Sequence, residues 1–83
     1  MTTLEIDLSI FNTKKKLLAY FASLFNEMYG LNYDALIDVL AFIKEPLTLE
    51  LLKEDQYEDL EELKSILEII HEENSFITIK NKT

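Results

Sequence analysis

Three short segments in which apolar and polar residues alternate constrain the fold most, because such alternation is typical of a half-buried β-strand. The predicted strands span residues 3–10, 47–51 and 76–80. Between them the apolar residues recur at helical spacing, and the predicted helices span residues 13–28, 33–42 and 56–72. Asp55 and Glu58 have the spacing of a capping box, which predicts the start of the last helix. The predicted order is therefore strand, helix, helix, strand, helix, strand.

This order predicts an α/β fold. Strands that are joined through helices become parallel neighbours, and their crossovers are right-handed. Strands of a parallel sheet that is covered on both faces are apolar throughout, whereas these three alternate. We therefore predict a single domain over residues 1–83, with a three-stranded parallel sheet and helices packed mainly on one face. A chain of 83 residues is long enough for one modest core.

The charge of the chain narrows the class of partner. Sixteen acids against eight bases give a net charge of −8. This charge repels nucleic acids and anionic membranes and favours a basic protein or a basic active site, although it also serves solubility alone. The simplest interpretation of the acidic run over residues 54–62 is a solvated helix start, where carboxylates interact favourably with the helix dipole. The absence of cysteine, of an apolar run of about 18 residues and of a basic-then-apolar leader predicts a cytoplasmic protein.

Residues that could carry catalysis are scarce. His71 is the only histidine, cysteine is absent, and the serines lie in no triad-like context, which leaves little for nucleophilic catalysis. A single glycine excludes the phosphate-binding loops that need several. His71 lies near the end of the last predicted helix, where an imidazole interacts favourably with the helix dipole. We predict no catalytic residue, no cofactor and no metal site.

The segment of residues 29–40 carries the most specific pattern. Gly30 can adopt a positive φ and close the preceding helix, and Asn32 can cap the next one. Asp34 and Asp38 are four residues apart, so a helix presents both carboxylates on one face, opposite its apolar residues. The pattern alone leaves three interpretations open: a solvated helix face, a metal or acid–base pair, and an anionic spot for a cationic partner.

The same segment, with the residues that follow it, resembles the barstar family, the intracellular inhibitors of the ribonuclease barnase. The residues that carry the resemblance are Tyr29-Gly30, Asn32, Asp34-Ala35-Leu36, Asp38, Leu40 and Pro46-Leu47. The likeness extends over most of the chain in the order of its elements. It implies a three-stranded parallel sheet with packed helices, and an inhibitor in place of an enzyme.

The resemblance also implies a mechanism. In the family, the second helix and the loop before it plug the ribonuclease active site, and aspartates take the place of the RNA phosphate. Carried over to this chain, the implied partner-binding residues are Asp34, Asp38, Tyr29, Gly30, Ala41, Phe42 and Glu72, with Glu73 as an alternative to Glu72. The implied partner is a basic, extracellular-type ribonuclease or a related toxin. The inhibitor is expected to be a monomer when free, with no direct contact to nucleic acid or membrane.

Two replaced aromatic residues motivate a second hypothesis, because Met28 and Ile37 stand where the family has aromatic residues. The loop of residues 40–46 is also one residue shorter. The third helix of the family is missing here or merged with the next. The alternative is therefore a barstar-fold interaction or antitoxin module that binds a different basic protein or toxin. A metal-dependent enzyme is a more remote hypothesis, which rests on the carboxylates alone.

Overall fold

The computed structural model describes residues 2–26, 28 and 30–82 and has the predicted order of elements. The strands are β1 (Thr2–Asp7), β2 (Leu47–Leu52) and β3 (Ile77–Lys82). The helices are α1 (Lys14–Leu24), α2 (Tyr33–Ala41) and α3 (Leu60–Glu73), and a short 3₁₀ helix (Glu54–Gln56) lies between β2 and α3. The resemblance implies a further helix here, and the structure has this single 3₁₀ turn.

The three strands form one parallel sheet in the order β1-β2-β3, which confirms the predicted fold class. Leu49 pairs with Leu4 on one side and with Ile79 on the other, so one row of the sheet is apolar across all strands. The next row joins Glu5, Glu50 and Lys80 and is partly exposed. The helices pack on the apolar face, as the alternation of the strands predicts.

The core lies between that apolar face and the three helices. Its fully buried side chains come from both layers: Ile6, Leu8, Leu49, Leu51 and Ile77 from the sheet side, and Leu17, Leu18, Phe21, Leu36, Leu40, Leu63 and Ile70 from the helices. Both layers bury large aliphatic side chains against each other, which is the main stabilising term in a domain of this size.

The ends of the outer strands differ from the prediction. β1 stops at Asp7 because the Asp7 carboxylate accepts hydrogen bonds from the amide of Ser9 at 2.9 Å and from its hydroxyl at 2.6 Å. These bonds close a turn, hold the pKa of Asp7 below its usual range, and leave Ile10 exposed. β3 continues to Lys82 because its last residue pairs with Leu52.

The helix ends also differ from the prediction. α1 stops at Leu24, four residues early, and the amide of Met28 donates to the carbonyl of Phe25 in a separate turn. The predicted capping box at Asp55 is wrong. α3 begins later, at a cap in which the side chain of Asp59 accepts from an amide of the first turn at 3.1 Å.

Glu58 explains why the capping box does not form. Its carboxylate accepts a hydrogen bond from the backbone amide of Lys14 at 2.6 Å, and its own amide donates to the carbonyl of Asn12. A carboxylate from a distant segment thus satisfies a free amide at the start of α1. It also places a negative charge beside three consecutive lysines in the first turn, where the helix dipole disfavours cations.

Candidate functional site on helix α2

The start of α2 is fixed by two residues that the sequence singles out. The side-chain oxygen of Asn32 accepts a hydrogen bond from the amide of Ala35 at 2.7 Å and caps the helix. Gly30 has a φ of +106°, and a Cβ at this position would lie 3.1 Å from the Asn32 side chain. Gly30 therefore shapes the turn into α2, as expected. It does not close α1, which ends at Leu24.

A buried pair of tyrosines anchors the first turn of α2 from below. The hydroxyl of Tyr33 lies 2.8 Å from the hydroxyl of Tyr57, in the segment that precedes α3. The ammonium of Lys14 lies 4.8 Å from the centroid of the Tyr33 ring, within reach of a cation–π contact. Burial raises the pKa of both hydroxyls above the usual value. Sequence reasoning missed this pair, because the two tyrosines are 24 residues apart.

Asn74 anchors the other end of α2. This residue ends α3, is only 7% exposed, and its side-chain amide donates to the carbonyls of Leu40 at 2.9 Å and Ile43 at 2.7 Å. Its side-chain oxygen accepts from the amide of Phe76 at 3.0 Å. The last helix is predicted to end shortly before Asn74. Nothing in the pattern indicates that the Asn74 side chain also binds carbonyls at the end of α2 and just beyond it.

Between these two anchors, Asp34 and Asp38 are exposed on the side of α2 that faces away from the buried Leu36 and Leu40. Within residues 2–26, 28 and 30–82, neither carboxylate accepts a hydrogen bond or forms a salt bridge. Asp34 lies in the first turn, where it favours the helix dipole, whereas Asp38 has no such structural role. The arrangement is an exposed pair of negative charges on a helix that is held at both ends.

Phe42 follows α2 directly and is 78% exposed. Together with Asp38 it lines a depression of about 450 Å³, whose other walls are Phe25, Val39 and Ile43. The structure thus brings a carboxylate and an exposed aromatic ring together, as expected for residues four positions apart along a helix and its end. Large exposed aromatic side chains are enriched where proteins bind one another.

A family model described as Barstar (barnase inhibitor) matches residues 1–82. The chain belongs to the barstar family. This match covers essentially the whole chain and confirms the resemblance seen in the sequence. Barstar is a family of inhibitors, which agrees with the scarcity of catalytic residues. No curated protein matches the chain.

Two positions where this barstar-family chain departs from the family pattern offer little surface. Met28 is 8% exposed and belongs to the core, and Ile37 is partly buried and packs against it. Both side chains therefore contribute to the core and present little surface to a partner. Among the described residues near the carboxylates, Phe42 is the most exposed large apolar side chain.

The other described contact residues that the resemblance implies do not line the depression beside Asp38 and Phe42. Glu72 is exposed on the last turn of α3, where it lines a separate cleft of about 780 Å³ with His71 and Lys64. Glu73, its alternative, is also exposed, and Ala41 is partly buried at the end of α2. Tyr29 lies outside the described residues.

His71 and the acids around it do not form a recognisable ligand set. The Nδ1 atom of His71 lies 2.6 Å from the carbonyl oxygen of Ile77, so the ring is held by the backbone of β3. In the part of the chain that the structure describes, no group of three or more histidine, aspartate or glutamate side chains could hold a metal ion. Over those same residues, no helix has the length and apolar character needed to cross a membrane.

Proposed function

We propose that this barstar-family chain inhibits a basic ribonuclease of the barnase type by covering its active site with the exposed face of α2. The observation that carries the proposal is the pair Asp34 and Asp38 on a helix fixed at both ends. Both are exposed, and neither has a hydrogen-bond or salt-bridge partner among residues 2–26, 28 and 30–82. A ribonuclease active site binds the phosphodiester of its substrate with cationic side chains. A carboxylate in the place of the phosphate forms charge-assisted hydrogen bonds with these cations.

The fixed position of α2 supports tight binding. Association is weakened when side chains and loops must become ordered at the interface. Here the Asn32 cap, the Tyr33–Tyr57 pair and Asn74 hold the helix before any partner arrives. The net charge of −8 would also steer a basic partner toward the inhibitor, so association should slow as salt is added.

The other contacts belong to the proposal as well. Gly30 and Tyr29 would shape the loop before α2, and Ala41 and Phe42 would extend the contact beyond its end. Glu72, or Glu73 beside it, would reach the partner from the last turn of α3. The inhibitor would act as an antitoxin or immunity protein in the cytoplasm of the cell that makes the ribonuclease, and would be a monomer until it binds.

The test is inhibition of the barnase-type ribonuclease from the same genome. We expect the wild-type chain to inhibit it, and Asp38→Asn to weaken binding roughly 10- to 100-fold, since a hydrogen bond to a charged group is worth about 1.5–3 kcal/mol. Glu5→Gln is the matched control, because it removes the same charge from the open face of the sheet. Equal inhibition by the wild type and Asp38→Asn would contradict the proposed mechanism.

The burial of Met28 and the partly buried position of Ile37 favour a second candidate function. Without the family aromatics at these positions, the same face of α2 could serve a different basic protein or toxin. In that case the chain would fail to inhibit barnase-type ribonucleases. It would still bind its partner in a manner that depends on Asp38 and on salt.

A further inference from the structure

A groove runs between the end of α1 and the end of α2. Two adjacent depressions of about 450 and 290 Å³ share Phe25 and Ile43 among their walls and are together called the groove. The first begins at Asp38 and Phe42, and the second ends at the edge of the sheet where Pro46 leads into β2. The groove therefore continues from the carboxylate face of α2 in the direction of α1.

The walls of this groove carry apolar surface that the core does not use. The sequence places Leu24 and Phe25 on the buried stripe of the first helix, but α1 ends at Leu24 and that side chain remains 45% exposed. Phe25 is only partly buried, and Phe42 is almost fully exposed at the other end. Exposed apolar residues that line one groove in this way are typical of a binding surface.

The charges at the groove are of one sign. Among the described residues that line it, the ionisable ones are Asp38 near one end and Glu45 near the other. Neither carboxylate has a hydrogen bond or salt bridge within the described parts of the chain. An occupant must therefore be apolar in its middle and basic at its ends. A second copy of this chain is a poor occupant, because each copy carries a net charge of −8.

We infer that the groove receives an apolar side chain from a loop of the basic ribonuclease, with an arginine or lysine on that loop facing Asp38 or Glu45. This inference rests on the proposed function and adds a second, apolar contact to its carboxylates. An apolar side chain enclosed by Phe25, Phe42 and Ile43 loses its water, which is the usual condition for a residue that dominates binding energy. The carboxylates select the orientation of the loop, and the apolar walls slow its release.

The experiment compares binding of the ribonuclease to Leu24→Ala combined with Phe42→Ala, to Phe42→Ala alone, to Ile10→Ala and to Asp38→Asn. Leu24 and Phe42 are exposed enough that their truncation should leave the fold intact, which thermal unfolding checks. Ile10 is the matched control, since it is 60% exposed and follows the far end of β1. We expect the double variant to weaken binding about tenfold or more, through faster dissociation and with an unchanged salt dependence of association. Asp38→Asn should instead reduce that salt dependence.

The outcomes separate the two proposals. If Asp38→Asn weakens binding and the double variant binds like Ile10→Ala, or no more weakly than Phe42→Ala, the groove inference is wrong and the carboxylate mechanism stands. If the double variant binds more weakly than Phe42→Ala and Asp38→Asn binds like the wild type, the groove is an anchor and the carboxylate mechanism is wrong. If the wild-type chain does not bind the ribonuclease at all, both proposals are wrong as stated.

Discussion

The acids of residues 54–62 and the acids of α2 differ in what their carboxylates contact. In the first region, Glu54 lies 3.2 Å from the ammonium of Lys64, Glu58 accepts from the amide of Lys14, and Asp59 caps α3. In the second region, Asp34 and Asp38 contact no donor among the described residues. Glu54, Glu58 and Asp59 thus hold elements together, whereas the two acids of α2 leave their charge available.

The acids that give the net charge of −8 are therefore not equivalent, because some are held by internal contacts and others are not. The acidic run of residues 54–62 is predicted from the sequence to be a solvated helix start. The structure instead buries Glu54 to 5% exposure and directs Glu58 to another helix. The carboxylates of Asp34 and Asp38 are therefore available to a partner, in contrast to those of Glu54 and Glu58. Stability and recognition should respond to different substitutions, and the following predictions test that separation in order of their expected effect on stability.

The largest expected effect belongs to Asn74, which joins the end of α2 to α3. Asn74→Ala removes the bonds to the carbonyls of Leu40 and Ile43. The Leu40 carbonyl keeps the Ile43 amide as a donor, whereas the Ile43 carbonyl loses its side-chain donor. We expect the free energy of unfolding to fall by about 2 kcal/mol, since an unsatisfied buried group costs about 1–3 kcal/mol. Urea denaturation measures the change, and Asn81→Ala on the exposed end of β3 is the control. A loss no larger than that of the control would mean that α2 does not depend on this anchor.

The Tyr33–Tyr57 pair links the two regions directly, because Tyr33 starts α2 and Tyr57 lies within the acidic run. Tyr57→Phe leaves the buried hydroxyl of Tyr33 without its partner. We expect a loss of about 1.5 kcal/mol at neutral pH, measured by denaturant unfolding. A value near zero would show that another donor or acceptor replaces the Tyr57 hydroxyl.

The same pair predicts a pH dependence. Burial raises the pKa of both tyrosines, so the folded state keeps their protons at a pH where the unfolded chain releases them, above about 10. Stabilisation by the neutral hydroxyls is therefore complete below pH 10 and is lost as the pH rises further. The free energy of unfolding should fall less steeply above pH 10 in Tyr57→Phe than in the wild type. Parallel curves would contradict the assignment.

Much of the fold follows from the sequence because its signals are local. Alternation with period two and apolar spacing with a period near 3.6 identify the strands and helices, and their order dictates a parallel, one-sided sheet. The exposure of Asp34 and Asp38 follows from their spacing relative to Leu36 and Leu40 in the same way. These features need only the residues of one element and its neighbours.

The features that the sequence does not predict depend on residues far apart in the chain. α3 begins late because Glu58 binds Lys14, which is 44 residues away, and α2 is anchored by Asn74 from more than 30 residues away. α1 ends early although its apolar pattern continues to Met28. Hydrophobic periodicity carries no information about such contacts. The local pattern therefore predicts too great a length for α1 and too early a start for α3.

A smaller effect is expected for Glu54, the most buried acid of the first region. Glu54→Gln keeps the size of the side chain but removes its charge from Lys64. Because the Lys64 side chain is 48% exposed and can be solvated by water, we expect a loss of only about 1 kcal/mol. The exposed neighbour provides the control as Asp55→Asn, and unfolding in urea gives both values. Equal effects would place Glu54 with the acids that have no structural role.

The smallest effect on stability, and the sharpest contrast with Glu54, is expected on α2 itself. Asp34 and Asp38 are one turn apart, so each repels the other by a few tenths of a kcal/mol. Asp38→Asn removes that repulsion without breaking a contact among the described residues, and should stabilise the fold by about 0.3 kcal/mol. Asp34→Asn removes the same repulsion but also loses a favourable charge in the first turn, so its net effect should be a small loss or none.

Both changes should shrink as salt is added, because the charges involved are exposed and screened. Thermal unfolding of the two variants at low and high ionic strength measures this difference. A loss of more than about 1 kcal/mol for Asp38→Asn would be too large for an exposed carboxylate that has no hydrogen bond or salt bridge with the described residues. It would give Asp38 a structural role like that of Glu54 and would remove the distinction between the two regions. A neutral or positive change, together with weaker binding of the ribonuclease, would mean that this carboxylate serves a partner at the expense of a small internal repulsion.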